Sequence, residues 1–290
     1  MELSSLRAFV QVARDRSFSQ AAEALFITQP AVSKRIASLE ADLGAPLFDR
    51  MGRQVFLTEA GRHLLPRAEQ ILDGVTDIQR ELSNLSGEVS GPLAMGTSHH
   101  IGLHRLPSIL RRYTDRYPQV DLDIRFMSSE KVSQAVEQGE LELGVITLPL
   151  QPSNHLRLQP VWRDPLLFVV AEDHPLAARR KIQPEELINY PAVLPTKATY
   201  TRSLLEEAFL QVEGEIRCGL STDYLETLKM MASIGLGWSL LPEIMLSPGL
   251  VQLQVAGIRL ERSLGIITHR HRTPSNAARA MARELTRGSV

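Results

Sequence analysis

The run from Ser17 to Leu43 constrains this chain more than any other: Ser-Phe-Ser-Gln-Ala-Ala-Glu-Ala-Leu-Phe-Ile-Thr-Gln-Pro-Ala-Val-Ser-Lys-Arg-Ile-Ala-Ser-Leu-Glu-Ala-Asp-Leu. Phe18, Ala21, Ala22 and Leu25 recur at helical spacing, and Ser17 with Gln20 fits a capping box. Phe26 and Ile27 carry a short turn. Thr28 then offers an N-cap hydroxyl, and Pro30 falls in the first turn of a second helix, where its missing N–H costs nothing. Val32, Ile36, Leu39 and Leu43 form a stripe that faces a core, while Gln29, Ser33 and Lys34 share the opposite face with the small Ala37. That is a helix-turn-helix whose second helix suits a major groove. On this segment alone, an ordinary αα-hairpin with a solvated polar face also fits.

The next residues favour the first reading. Leu47 to Arg50 and Arg53 to Leu57 read as two short strands around a turn at Met51-Gly52, with Arg50 and Arg53 at its tip. Arginines on such a wing suit phosphates or an adjacent minor groove. Residues 1–58 are therefore expected to form a winged helix-turn-helix. The net charge of -1 is not that of a protein that coats nucleic acid. Binding would depend on a local patch of Arg7, Lys34, Arg35, Arg50 and Arg53.

Leu6-Arg7-Ala8-Phe9, Ser17 to Ala22, Thr28 to Ser33, Leu47 to Arg50 and Leu57-Thr58-Glu59-Ala60-Gly61 together resemble the N-terminal signature of LysR-type transcriptional regulators. The resemblance extends over the whole chain, more loosely in its C-terminal part. It implies promoter DNA, a small-molecule effector and RNA polymerase as partners, a homodimer or homotetramer, and no cofactor. Carried onto this chain, it nominates Gln29, Pro30, Ser33 and Lys34 as base-reading residues, with Arg53 on the wing. Many relatives have arginine where this chain has Lys34, so a guanine contact there is expected to be weaker or differently aimed.

Residues 59–87 read as a linker and dimerisation helix. Leu64, Ala68, Ile71, Val75, Ile78, Leu82 and Leu85 alternate spacings of four and three, a heptad seam suited to a partner helix. Packing of that stripe on its own chain is the competing reading. Ser86 to Pro92 then breaks the helix.

Residues 88–290 read as repeated strand and helix units, hence a parallel or mixed sheet covered by helices. Strands are expected at Leu93–Thr97, Val120–Phe126, Leu143–Thr147, Leu166–Val170, Ala192–Leu194, Ile216–Leu220, Gly237–Pro242 and Leu264–Thr268. The resemblance implies two lobes, 91–162 with 266–290 and 163–265, as in periplasmic binding proteins. The fold class is thus α/β overall: a winged helix-turn-helix, a long coiled-coil linker helix and a two-lobed α/β effector domain.

Ligands of open α/β sheets sit beyond the carboxyl ends of strands, against helix N-termini. Those positions hold Thr97, Ser98, His99 and His100, Ser128 and Ser129, and Thr147. In the second lobe they hold Thr196, Lys197, Thr199, Arg202 and Thr222. Hydroxyls with His, Lys and Arg favour a small anion such as a carboxylate, although each Ser or Thr serves equally as a plain cap.

His99, His100 and His104 raise a metal, with His269 and His271 as further candidates, but only His100 and His104 have the spacing that faces one ion. No cysteine or paired carboxylate joins them, so no metal site is expected. Nor does any nucleophile elbow, phosphate-binding glycine loop or triad spacing suggest an enzyme. The lone Cys218 alternates with Ile216 and Leu220, which predicts a buried thiol. No apolar run approaches a membrane span and Met1-Glu2-Leu3 does not begin a signal peptide, so no membrane partner and a cytoplasmic location are expected. Two other classes compete with an effector-modulated regulator. A ligand-independent DNA-binding protein leaves the polar cleft without purpose, and a metabolite-binding protein or enzyme leaves the wing and heptad seam unexplained.

Overall fold

Three helices open the chain: α1 (Leu3–Asp15), α2 (Phe18–Ala24) and α3 (Gln29–Leu43). The hairpin of β1 (Phe48–Met51) and β2 (Gln54–Leu57) follows, then the long α4 (Glu59–Asn84). The computed structural model describes residues 1–51, 54–179 and 181–287, in two compact units, Met1–Leu85 and Ser86–Val290.

Local chemistry sets the first unit. Ser17 Oγ accepts from the Gln20 N–H at 3.3 Å, and Thr28 Oγ1 accepts from the Ala31 N–H at 3.4 Å, so α2 and α3 each begin on a side-chain cap. Between them Phe26 turns the chain at φ 54°, a left-handed conformation that costs a non-glycine residue about 1–2 kcal/mol. Leu6, Phe9, Val12, Ala21, Val32, Ile36, Leu39 and Leu47 form the core. Leu43 departs from the expected stripe: it is exposed in the last turn of α3, before Gly44 ends the helix at φ 67°.

The wing is fastened to α3. Glu40 Oε1 accepts from the N–H of Leu47 at 2.7 Å and of Phe48 at 3.4 Å, just where β1 begins. Thr58 Oγ1 donates to the Pro46 carbonyl and accepts from the Gly61 N–H. Gly61 is needed there: a Cβ would lie 2.3 Å from the Leu47 carbonyl oxygen.

Helix α4 carries two stripes. Leu64, Leu65, Ala68 and Leu72 pack on the head core, whereas Ile71, Ile78, Leu82 and Leu85 are exposed. The expected seam is corrected accordingly. Leu64 and Ala68 belong to the chain's own core, because the first turns of α4 lie against α1.

The second unit comprises β3 (Gly91–Thr97), α5 (His99–His104), α6 (Pro107–Arg116), β4 (Val120–Phe126), α7 (Ser129–Glu137), β5 (Leu143–Thr147) and β6 (Leu156–Ala171). It continues through α8 (Pro184–Ile188), β7 (Ala192–Leu194), α9 (Tyr200–Ala208), β8 (Cys218–Ser221), α10 (Leu225–Ser233), β9 (Ser239–Pro242), β10 (Leu250–Leu253), β11 (Leu260–His269) and α11 (Asn276–Thr286). One mixed sheet runs in the order β10-β6-β11-β5-β3-β4, with β9 also on β6; β7 and β8 form a separate parallel pair. β3 is parallel to β4 and β5, while β6 and β11 are antiparallel.

Two sets of cores make the lobes. Leu93, Met95, Tyr113, Val145, Ile266 and Met281 anchor the first, and Phe168, Leu205, Trp238, Leu240 and Leu253 the second. β6 starts well before the expected Leu166, because Arg157, Pro160, Arg163 and Pro165 mask its alternation. β6 and β11 therefore pass from one lobe to the other as paired strands, with a register shift at Leu264/Gly265.

Cys218 corrects another expectation. Among the described residues β8 pairs with β7 alone, and all four of its residues are exposed, so the thiol is at the surface. Among the described residues, no helix is long and apolar enough to cross a membrane.

Candidate functional site

The outer face of α3 presents Gln29, Pro30 and Lys34 to solvent with Ser33 half-buried, opposite the fully buried Val32 and Leu39. Gln29 Nε2 donates to Ser33 Oγ at 3.0 Å, which holds the carboxamide against the helix. That bond uses one N–H of the carboxamide and leaves its carbonyl oxygen and second N–H to meet a base edge. Arg50 lies on β1 and Arg53 falls outside the described residues.

A second concavity opens between the lobes. Of the expected effector contacts, Ser98, His99, His100, Ser128, Ser129, Thr147 and Thr199 line it together. Ser98, Ser128 and Thr199 are the N-caps of α5, α7 and α9. Ser129 Oγ accepts from the Thr147 N–H at 3.2 Å. The lobes also touch: the Tyr200 N–H donates to Glu130 Oε1 at 2.7 Å, and the Tyr200 hydroxyl lies 3.2 Å from Ser133 Oγ. His99 sits at the rim between Phe126, a tilted ring contact at 5.4 Å between centres, and Tyr224, an edge-on contact at 5.0 Å.

The remaining expected contacts are elsewhere. Thr97 is fully buried and donates to the Val145 carbonyl. Lys197 is exposed, and Thr196 donates to Asp223 Oδ1. Arg202 is buried against Glu206, its Nε 2.8 Å from Oε1. Thr222 Oγ1 accepts from the Tyr224 N–H. None of these five lines the cavity.

The floor of the cleft is ionic. Asp164 and Arg262 face each other across β6 and β11, 1% and 8% exposed. Arg262 Nε donates to Asp164 Oδ2 at 2.8 Å, Arg262 Nη1 to Thr201 Oγ1 at 2.8 Å, and Arg105 Nη2 to Asp164 Oδ1 at 3.3 Å. Arg262 Nη2 is buried without a hydrogen-bond partner among the described residues, and Arg262 lines the cavity. Burial pushes the Arg262 guanidinium below its usual range, with Asp164 opposing. Burial also pushes the His100 imidazole down to about 3; the charge of Arg262 adds to this and Asp164 opposes it.

Asp164, Thr201 and Arg262 were not among the expected contacts, yet a signal existed. Leu260, Arg262, Leu264 and Ile266 share one strand face, so the two-residue period puts Arg262 inside. A charge on the buried face of a strand needs a partner and marks a site.

Comparison with known proteins agrees with this architecture. Residues 3–62 match the family model "Bacterial regulatory helix-turn-helix protein, lysR family", and residues 86–289 match "LysR substrate binding domain". A probable RuBisCO transcriptional regulator of Cyanophora paradoxa is 29% identical, over 98% of this chain and 90% of its own. An uncharacterised regulator of Azotobacter vinelandii is 64% identical, over 37% of this chain and 74% of its own. A variant of full-length OxyR from Pseudomonas aeruginosa superposes with a TM-score of 0.72 at 24% identity, covering 98% of this chain and 94% of its own. Full-length CbnR in complex with its target DNA gives 0.61 at 20% identity, with 100% of each chain covered. The helix-turn-helix, the linker helix and the two-lobed domain are those of one family: the chain belongs to the LysR-type transcriptional regulators, DNA-binding proteins modulated by an effector rather than enzymes.

Proposed function

We propose that this regulator acts in the cytoplasm as a homo-oligomer that reads promoter DNA through α3 and the wing. A small anionic metabolite held between the lobes sets its action on RNA polymerase. The unpartnered Arg262 Nη2 at the base of the cleft carries the anion reading. It lies among hydroxyls and helix N-termini, a donor surface that suits a carboxylate. The effector-binding domain of QuiR, a fold relative at a TM-score of 0.62 and 16% identity, is described in complex with shikimate. An effector that binds one arrangement of the lobes better than another shifts its population and so the regulator's activity.

A thermal-shift panel of metabolites tests the effector. A ligand at a hundred times its dissociation constant adds ~2.7 kcal/mol of stability. The hits are expected to be carboxylates, and Arg262→Lys, which keeps the charge but loses the fork, is expected to weaken them at least ~10-fold. Hits that are all neutral or cationic, or an unchanged affinity in Arg262→Lys, would reject the anion.

The DNA face has its own test. Gln29→Ala is expected to cost ~1–3 kcal/mol on the cognate site and to flatten preference at one base, while non-specific binding holds. Competition binding across a library of operator variants measures both. Equal loss on specific and random DNA would remove Gln29 from the base-reading set.

A further inference from the structure

We propose that His100, His104 and Glu226 form a binding site for a divalent transition-metal ion that clamps the two lobes of the effector domain together. His100 and His104 are one turn apart on α5, with ring centres 4.9 Å from each other. Glu226 comes from the first turn of α10, on the other lobe. One ligand atom from each of the three lies within 4.8 Å of the others, and His104 Nε2 is 3.4 Å from Glu226 Oε1. Zinc bonds of ~2.0–2.1 Å in a tetrahedral shell separate ligand atoms by about 3.3 Å. Small side-chain rotations therefore close the triad.

Two of the ligands have charge contacts but no hydrogen bond at the atoms concerned: His100 Nε2 is 4.0 Å from Asp164 Oδ2, and Glu226 Oε1 meets only the His104 contact given above among the described residues. His100 is 4% exposed, and neither ring nitrogen has a hydrogen-bond partner among the described residues. Glu226 Oε1 is shielded from water and likewise without one. Buried polar atoms seldom stay unpaired, and an ion between them removes both deficits. Arg105 and Arg262 are the nearby cations, and both are held by Asp164. Glu226 supplies the negative charge that an ion needs.

Two imidazoles and one carboxylate select zinc, cobalt, nickel or copper over calcium or magnesium. Three protein ligands leave a fourth position for water or an effector oxygen. The sequence alone offered only the histidine pair; the third ligand is distant along the chain and arrives by folding.

The test uses full-length protein without a histidine tag, dialysed against a chelator. Titration with Co²⁺ is expected to give the visible absorption of a tetrahedral site, saturating at one ion per chain, with Zn²⁺ displacing it. His104→Ala and Glu226→Gln, both at partly exposed positions, are each expected to weaken binding at least ~100-fold, more than the loss of an outer partner. The double variant His269→Ala, His271→Ala is expected to bind as the parent does. Zn²⁺ is also expected to slow amide exchange in α5 and α10 together. No saturable binding at micromolar metal, or equal binding in His104→Ala and Glu226→Gln, overturns the site. Protection confined to α5 overturns the clamp.

Discussion

Asp164→Ala is expected to destabilise the effector domain by about 3–5 kcal/mol, the usual cost of removing one partner from a buried ion pair. Asp164 is 1% exposed and accepts from both Arg262 and Arg105. Without it the Arg262 charge stays buried with only the Thr201 hydroxyl as a described partner. Trp162 and Trp238, one beside each main core, report unfolding by fluorescence in urea. The double variant Asp164→Leu, Arg262→Met is expected to regain most of the loss, because an apolar pair of similar volume avoids the desolvation cost. An unchanged urea midpoint in Asp164→Ala would show that the cleft floor contributes little to stability.

Ile78→Asp has the second large effect, on assembly. Ile78, Leu82 and Leu85 are 58%, 63% and 81% exposed on the outer stripe of α4, a row of apolar side chains that a partner helix would cover. An aspartate there leaves one unpaired, dehydrated charge in each helix of the pair. The dimer is expected to dissociate, and affinity for an operator with two half-sites to fall by ~10²–10⁴ as the linkage between heads is lost. Sedimentation and operator binding on the same samples measure the two effects. A parent chain that sediments as a monomer would remove the outer stripe from the assembly.

The DNA-binding half was legible because its signals are local. Ser17, Thr28 and Pro30 mark helix starts within a few residues of the atoms they satisfy, and the buried stripe of Val32, Ile36 and Leu39 follows one period. On α4 the same logic overreached. A long helix can carry two apolar stripes, and spacing alone assigned Leu64 and Ala68 to the wrong one. In the effector domain Ser98, Ser128 and Thr199 were legible as helix caps at strand ends. Lys197 and Arg202 were placed beside them by sequence proximity, but one stays in solvent and the other packs along its own helix on Glu206. The Asp164–Arg262 pair depends on strand register, which joins residues far apart in the chain. Cys218 was misread because a strand's alternation does not say whether its faces are covered.

The passage of β6 and β11 through both lobes has a mechanical consequence. Between the stretches where β5 joins β11 and β9 joins β6, the crossing is a short two-stranded ribbon, Arg163–Pro165 on Glu261–Ser263, not a loop hinge. Pulling the lobes straight apart would break ladder bonds at about 1 kcal/mol each, whereas a two-stranded ribbon twists with its bonds intact. The soft coordinate of this domain is therefore torsion. The shift at Leu264/Gly265 sets its neutral angle, since bulges add local twist and a Cβ on Gly265 would lie 2.3 Å from the Gln159 carbonyl oxygen. An effector that twisted this ribbon would displace the lobe rims most, because they have the longest lever arms.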